Sequence, residues 1–189
     1  MNRREYVAFG GLVAATTAGC TAISGEINLT ADEVVEHDRS LVLPFSHDDE
    51  DLLRIQLNKQ FTGDEKRAYY PFSISTLQPA GNQIDSLRLK FRSQPHSSDF
   101  SPAGLALKED HHAHMATLSQ DGDDPSTTVL DLPDTASIGQ GSVVVNLLLG
   151  GDHAEEPQQL WIRAEATLGS DSLLGTDYSA TGDVTVRFP

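Results

Sequence analysis

The richest run of metal-binding side chains in the sequence is Glu109-Asp110-His111-His112-Ala113-His114. In an extended segment alternate residues share one face at a repeat of about 6 to 7 Å. His112 and His114 could therefore hold a Zn or Cu ion together, with a neighbouring carboxylate as a further ligand. His47, His96 and His153 are scattered along the chain and could reach such a centre only through the fold. No second group of His or Cys stands at a recognisable ligand spacing, and a solvated polar turn fits the same residues.

Two acidic runs, at Asp48 to Asp51 and at Asp121, Asp123 and Asp124, could attract a hard cation such as Ca²⁺. Neither has the spacing and terminal glutamate of an EF-hand loop, and both read as surface turns. Arg88, Lys90 and Arg92 alternate along one segment, which places all three on one outward strand face. Such a strip either pairs with acids on a neighbouring strand or offers a docking stripe to an anionic partner such as a carboxylate, an acidic glycan or a lipid headgroup. Trp161 is the only tryptophan, and its parity points away from the core; it is either covered by the chain's own loops or a stacking platform for a partner or sugar. Asn28-Leu29-Thr30 fits the acceptor pattern for N-glycosylation. The sequence has no Gly-x-Ser-x-Gly, Ser-x-x-Lys, His-Glu-x-x-His or phosphate-binding glycine loop. Of the common catalytic devices only the paired carboxylates of a glycoside hydrolase stay open, because their spacing is spatial rather than sequential.

The elements that must position these residues show period two, with turn signals between them. Ile27 and Leu29, then Leu41, Leu43 and Phe45, then Leu53, Ile55 and Leu57 form inward rows. So do Leu87, Leu89 and Phe91, opposed by the basic strip, and Leu160, Ile162, Ala164, Ala166 and Leu168, opposed by Trp161, Arg163, Glu165 and Thr167. Tyr69 to Leu77 reads as a strand interrupted at Pro71, and short strands are expected near Leu105 to Leu107, Met115 to Leu118 and Thr127 to Leu132. The unbroken apolar run Val143 to Leu149 predicts a central strand covered on both faces. A loop through Gly169 to Gly182 should precede a last strand carrying Val184, Val186 and Phe188. No segment has a helical period with caps. Eight to ten strands at intervals of about 8 to 12 residues predict an all-β fold, an antiparallel β-sandwich of Greek-key, immunoglobulin-like or jelly-roll-like type, with a closed barrel as the fallback.

Charge narrows the partners. The 189 residues carry 13 Lys and Arg against 28 Asp and Glu, a formal charge of −15. Nucleic acid is excluded as a partner, since phosphate binding needs a basic surface. In ordinary salt such a charge repels itself; in molar salt the screening length falls to about 3 Å and the repulsion nearly vanishes. The composition therefore fits a salt-loving organism.

The first residues read as an address. Arg3 and Arg4 precede a short apolar segment diluted by Gly10, Gly11, Thr16 and Thr17, too weak to span a bilayer, which takes about 20 apolar residues. Asn2-Arg3-Arg4-Glu5-Tyr6-Val7 resembles the twin-arginine export motif. Thr17-Ala18-Gly19-Cys20 resembles a lipobox, with Thr17 where an aliphatic residue is usual, and Cys20 is the chain's single cysteine. Together with the acidic composition, the chain resembles the haloarchaeal twin-arginine-exported lipoproteins. The resemblance implies a signal peptide over residues 1–19, a lipid-bearing tether over 20–26 and one β-sandwich domain over 27–189, leaving 189 − 19 = 170 residues outside the cell membrane. The functions expected of such a chain are a non-enzymatic binding or envelope-interaction module contacting an envelope protein or glycan, a Cu or Zn protein using His111, His112 and His114, or a carbohydrate-active hydrolase.

Overall fold

Alternating apolar rows need a second apolar layer to face, and the chain supplies one from its own other half. A computed structural model describes residues 26–62, 68–78, 82–94, 101–102, 104–108, 113–135, 142–150, 158–170 and 176–188. Among these the strands are β1 (Ile27–Thr30), β2 (Val35–His37), β3 (Ser40–His47), β4 (Glu50–Lys59), β5 (Tyr69–Leu77), β6 (Asn82–Gln94), β7 (Ser101–Pro102), β8 (Leu105–Leu107), β9 (Thr117–Gln120), β10 (Thr128–Leu132), β11 (Val144–Gly150), β12 (Gln158–Ser170) and β13 (Tyr178–Phe188). One sheet, called A, runs β1-β13-β12-β6-β10-β9, with β7 paired to β6; the other, B, runs β2-β3-β4-β5-β11-β8. After β1 the chain makes a four-strand meander in sheet B, then passes between the sheets at β6, β8, β9, β11 and β12. The expected β-sandwich is what forms. Among the described residues all pairings are antiparallel except that of β1 with β13.

Between the sheets lie the predicted rows. Leu41, Leu43 and Phe45 and Leu53, Ile55 and Leu57, joined by Tyr70, Phe72 and Ile74 of β5, a row not among those predicted, face Leu87, Leu89 and Phe91 and the inward row of β12, all buried. Each such side chain contributes about 1.5 to 3 kcal/mol relative to exposure. Two bulges keep the rows in phase. Between β3 and β4 the register shifts so that Leu52 and Leu53 are both buried. Between β6 and β12 Asp85 is the extra residue, which lets Ile84 and Leu87 enter one core although they are three apart.

The acidic turn at His47 to Asp51 is a two-residue hairpin. Asp48 and Asp49 both have positive φ, 50° and 65°, the left-handed pair that matches strand twist and that Asp tolerates better than most residues.

Three expectations are corrected. Pro71 does not interrupt β5: its carbonyl accepts from Gln60 N at 2.9 Å, and the return bond that its missing N–H forgoes lies just past the last paired residues, Lys59 and Phe72, where the ladder to β4 ends. The run Val143 to Leu149 is not covered on both faces. In β11 Val145, Leu147 and Leu149 are buried, while Val144, Asn146 and Leu148 are half-exposed on the outer side of sheet B. The long loop before the last strand is much shorter, because β12 runs on to Ser170 and β13 starts at Tyr178.

Candidate ligand-binding face

The basic strip occupies the middle strand of the outward face of sheet A, where the register decides its neighbours. Arg88 lies between Asp131 of β10 and Glu165 of β12; Lys90 lies between Val129 and Arg163; Arg92 is opposite Trp161. The guanidinium of Arg88 forks onto Asp131, Nε donating to Oδ1 at 2.6 Å and an η nitrogen to Oδ2 at 3.3 Å. Lys90 Nζ is 3.3 Å from Glu165 Oε1 and 4.0 Å from Asp121 Oδ2, and Arg163 Nε donates to the same Glu165 oxygen at 3.1 Å. Arg92 pairs with Asp124, donates from Nε to Thr127 Oγ1 at 2.7 Å, and lays its guanidinium over the Trp161 ring, 4.8 Å from the centroid. Arg88, Lys90, Arg92, Arg163 and Arg187, five of the chain's 13 bases, stand on this face, and four of them face acids of neighbouring strands or turns.

Asp124 is the anchor of its turn. Its carboxylate accepts from the Ser126 hydroxyl at 2.6 Å, from Ser126 N at 2.9 Å and from Thr127 Oγ1 at 2.9 Å. These bonds, then the Arg92 charge, lower its pKa from the ordinary 3.8 to about 2. A depressed carboxylate stabilises the fold fully above its unfolded pKa and loses that contribution as pH falls from about 5 through 2. Asp124→Asn should therefore flatten the acid limb of a stability curve. Urea midpoints followed from pH 6 to pH 2 check this, with a wild-type midpoint falling more steeply below pH 4 than the variant's.

Beside the Arg88–Asp131 fork the face dips into an open cavity of about 390 Å³. Its polar wall is Arg88, Asp131 and Glu165 together with the hydroxyls of Ser86, Thr167, Ser179 and Thr181. Ser86 and Thr167 share a hydrogen bond of 2.7 Å across β6 and β12. Ser179 and Thr181 come from β13, opposite Thr167 and Glu165. Leu87, Leu132 and Ala166 underlie the floor as core residues. Asn28 is exposed on edge strand β1 directly opposite Ser179, which lines this cavity.

The structure thus joins Arg88, Lys90, Arg92 and Trp161 on one face and sets Asn28 at its rim. It does not bring the histidines to it. His114 is exposed in a 3-10 turn, Ala113–Met115, and His47 is 3.5 Å from Asp48 at the β3–β4 hairpin. His111, His112, His96 and His153, like Arg3, Arg4 and Cys20, lie outside the described residues. Among the described residues no group of three His, Cys, Asp or Glu is gathered closely enough to hold a metal. The two acidic runs serve their own turns: Asp51 pairs with Arg54, and Asp121 Oδ1 accepts from Asp123 N at 3.1 Å. Sequence reasoning missed Asp131, Ser86, Ser179 and Thr181 as wall residues. Glu165 and Thr167 had the right outward parity, but nothing local linked them to Arg88, more than 75 positions earlier.

A family model described as a domain of unknown function, DUF8121, matches residues 15–189. No curated protein matches the sequence. Among solved structures, the chain is similar to the human F-spondin reeler domain at 9% identity, with a TM-score of 0.36, over 70% of this chain and 85% of that one. A collagen-binding domain from a Staphylococcus aureus adhesin matches at 9% identity and a TM-score of 0.35, over 68% and 95%. The seventh ScaB type I cohesin from Pseudobacteroides cellulosolvens matches at 12% and 0.39, over 66% and 86%.

Proposed function

We propose that this chain, which belongs to the DUF8121 family of domains of unknown function, is an exported, lipid-anchored β-sandwich that binds a neutral, hydroxyl-rich ligand of the envelope, a glycan, through the outer face of sheet A. The observation that carries the reading is the cavity in which a carboxylate–guanidinium fork, a second carboxylate and four hydroxyls line one open hollow. Its cations already face anions of the same sheet, so a free anion gains little there. A polyol, by contrast, can donate to Asp131 and Glu165 and accept from Arg88 and the hydroxyls without disturbing that balance. Glycoside hydrolysis would need a carboxyl group free to protonate a leaving oxygen, and Asp131 and Glu165 both serve cationic partners. Export and anchoring rest on Arg3, Arg4 and Cys20. Mass spectrometry of the mature N-terminus tests them, with a lipid-modified Cys20 expected and an unprocessed Met1 the contrary result.

Binding is tested by calorimetry of the full chain in molar KCl against a panel of neutral and acidic oligosaccharides. A neutral ligand should bind, and Arg88→Ala and Thr167→Val should each weaken it by about tenfold, the loss of one or two hydrogen bonds. Preference for acidic sugars, or affinity indifferent to both substitutions, would remove the cavity from consideration.

A further inference from the structure

We infer that the outer face of sheet B is a self-association surface that seats a second copy of this chain. The starting point is which side chains this face lacks. Reading across the sheet, one row is Val35, Val42, Gln56, Ser75 and Val144. The next is Ser40, Asn58, Ser73 and Asn146, with His37 at the edge, and beyond it come Pro71, Leu148 and Ala106. In a chain of formal charge −15 the named positions of these rows hold no Asp, Glu, Lys or Arg; the charges of this face stand at its rim, Lys108 beside Asn146 and Arg54, paired with Asp51, opposite Leu77. The opposite face of the molecule carries charges of both signs on β6, β10, β12 and β13. Interface cores are depleted of charge in this way.

The apolar exposure agrees. The large hydrophobic side chains that stand exposed among the described residues are Val35 at 44%, Tyr69 at 62% and Leu77 at 57%. Strand parity puts all three on this same side of sheet B, around the neutral rows. The half-exposed Val144 and Leu148 lie between them. That is why the apolar run of β11 reads as a strand covered on both faces when only one is covered within the monomer.

A second copy suits the face for three reasons. First, across its neutral rows two such acidic chains can meet without setting carboxylate against carboxylate, the acids near Pro44 and Arg54 lying beyond them. Second, its amides are self-complementary: Gln56 Nε2 donates to Asn58 Oδ1 at 2.8 Å, which leaves Gln56 Oε1 as an acceptor and Asn58 Nδ2 as a donor for a two-fold mate. Third, the area is sufficient. Six strands at about 4.8 Å spacing and three outward rows at about 6.6 Å give about 600 Å² a side, or about 1,200 Å² buried in total, the lower end of specific interfaces. The neutral rows offer no ion pair across the contact, so salt should strengthen it by screening the net charge of the two copies.

Sedimentation velocity of the full chain tests this. In 3 M KCl a species of twice the 20.4 kDa monomer mass is expected, with a dissociation constant at least about tenfold lower than in 0.2 M KCl. Ser75→Asp sets a carboxylate against its mate and should weaken the dimer by about a hundredfold or more. Thr185→Asp, outward on sheet A, should leave it within about twofold. If Ser75→Asp fails to fold, Leu77→Ser and Val35→Ala, both at exposed positions, should still weaken association by about tenfold. A monomer at about 100 µM in both salts overturns the inference. So does a dimer that responds equally to Thr185→Asp, or flotation of the monomer with anionic lipid vesicles that Ser75→Asp abolishes. Glycan binding that survives Ser75→Asp would show the two faces to be independent.

Discussion

Gly182→Val should destabilise the sandwich by about 3 kcal/mol or more, the upper range for forcing extra carbons into a packed core. Gly182 lies in β13 opposite Ala164, on the inward side. A Cβ there would stand 2.5 Å from the Ala31 Cβ and 3.2 Å from both Leu43 Cδ2 and Phe45 Cζ. The first distance is shorter than any real contact, and its owner is a methyl group attached directly to backbone, so nothing can swing away. The added branches of valine would have to push β13 from β1 on one side or from β3 on the other. For a chain of this size each kcal/mol lowers the melting temperature by about 2 to 4 °C, so a fall of about 6 °C or more is expected by thermal circular dichroism. Gly122, around which an added Cβ meets nothing within 4 Å, is the control; Gly122→Ala should leave the melt unchanged. Equal shifts at both positions would mean that close approach does not set the requirement for glycine at 182.

The second large effect is expected at Phe188. This side chain closes an aromatic cluster with Phe61, Tyr70 and Phe72 at centroid distances of 5.8 to 5.9 Å, and Lys59 Nζ lies 5.9 Å over its ring. It is fully buried between the end of β13 and sheet B. Phe188→Ala removes the ring and leaves Phe61 and Tyr70, themselves 5.3 Å apart, facing a void; the cost should be about 3 to 5 kcal/mol. Phe188→Leu keeps most of the volume and should cost less than half as much. A chemical denaturation series separates the two. A loss near 1 kcal/mol for alanine would show that the cluster collapses over the gap.

These residues also show which parts of the fold the sequence discloses. Phe188 and its row with Val184 and Val186 are legible because a half-buried strand writes one apolar residue in two. The same holds for Leu53, Ile55 and Leu57 and for the strip of Arg88, Lys90 and Arg92 on the reverse of its strand. The role of Gly182 is not legible, since what forbids a side chain there is Ala31, 151 positions earlier, and Phe45 on the other sheet. Nor is β2, whose Val35, Glu36 and His37 are all exposed and write no pattern. The candidate site divides in the same way. Its outward positions follow from parity, but pairing Arg88 with Asp131 requires the register of β6 against β10, which is fixed by contacts between residues 43 apart. Val143 to Leu149 misled for a different reason: its outward valine and leucine fit a surface that another molecule would cover, and a single chain's pattern does not distinguish that from burial in its own core.

The one parallel pairing has a kinetic consequence. Ile27 of β1 lies beside Tyr178 of β13, a separation of 178 − 27 = 151 residues, and among the described residues β1 has no other sheet neighbour. While the ribosome is still making the chain, that first strand has nothing to bond to, and β12 has only β6. Closing so long a loop is slow because its entropy is lost before the contact repays it. The domain should therefore reach its native state only once β13 has been made, with refolding that is slow and most sensitive to substitutions in β13, where the last of these strands completes the sheet for the first.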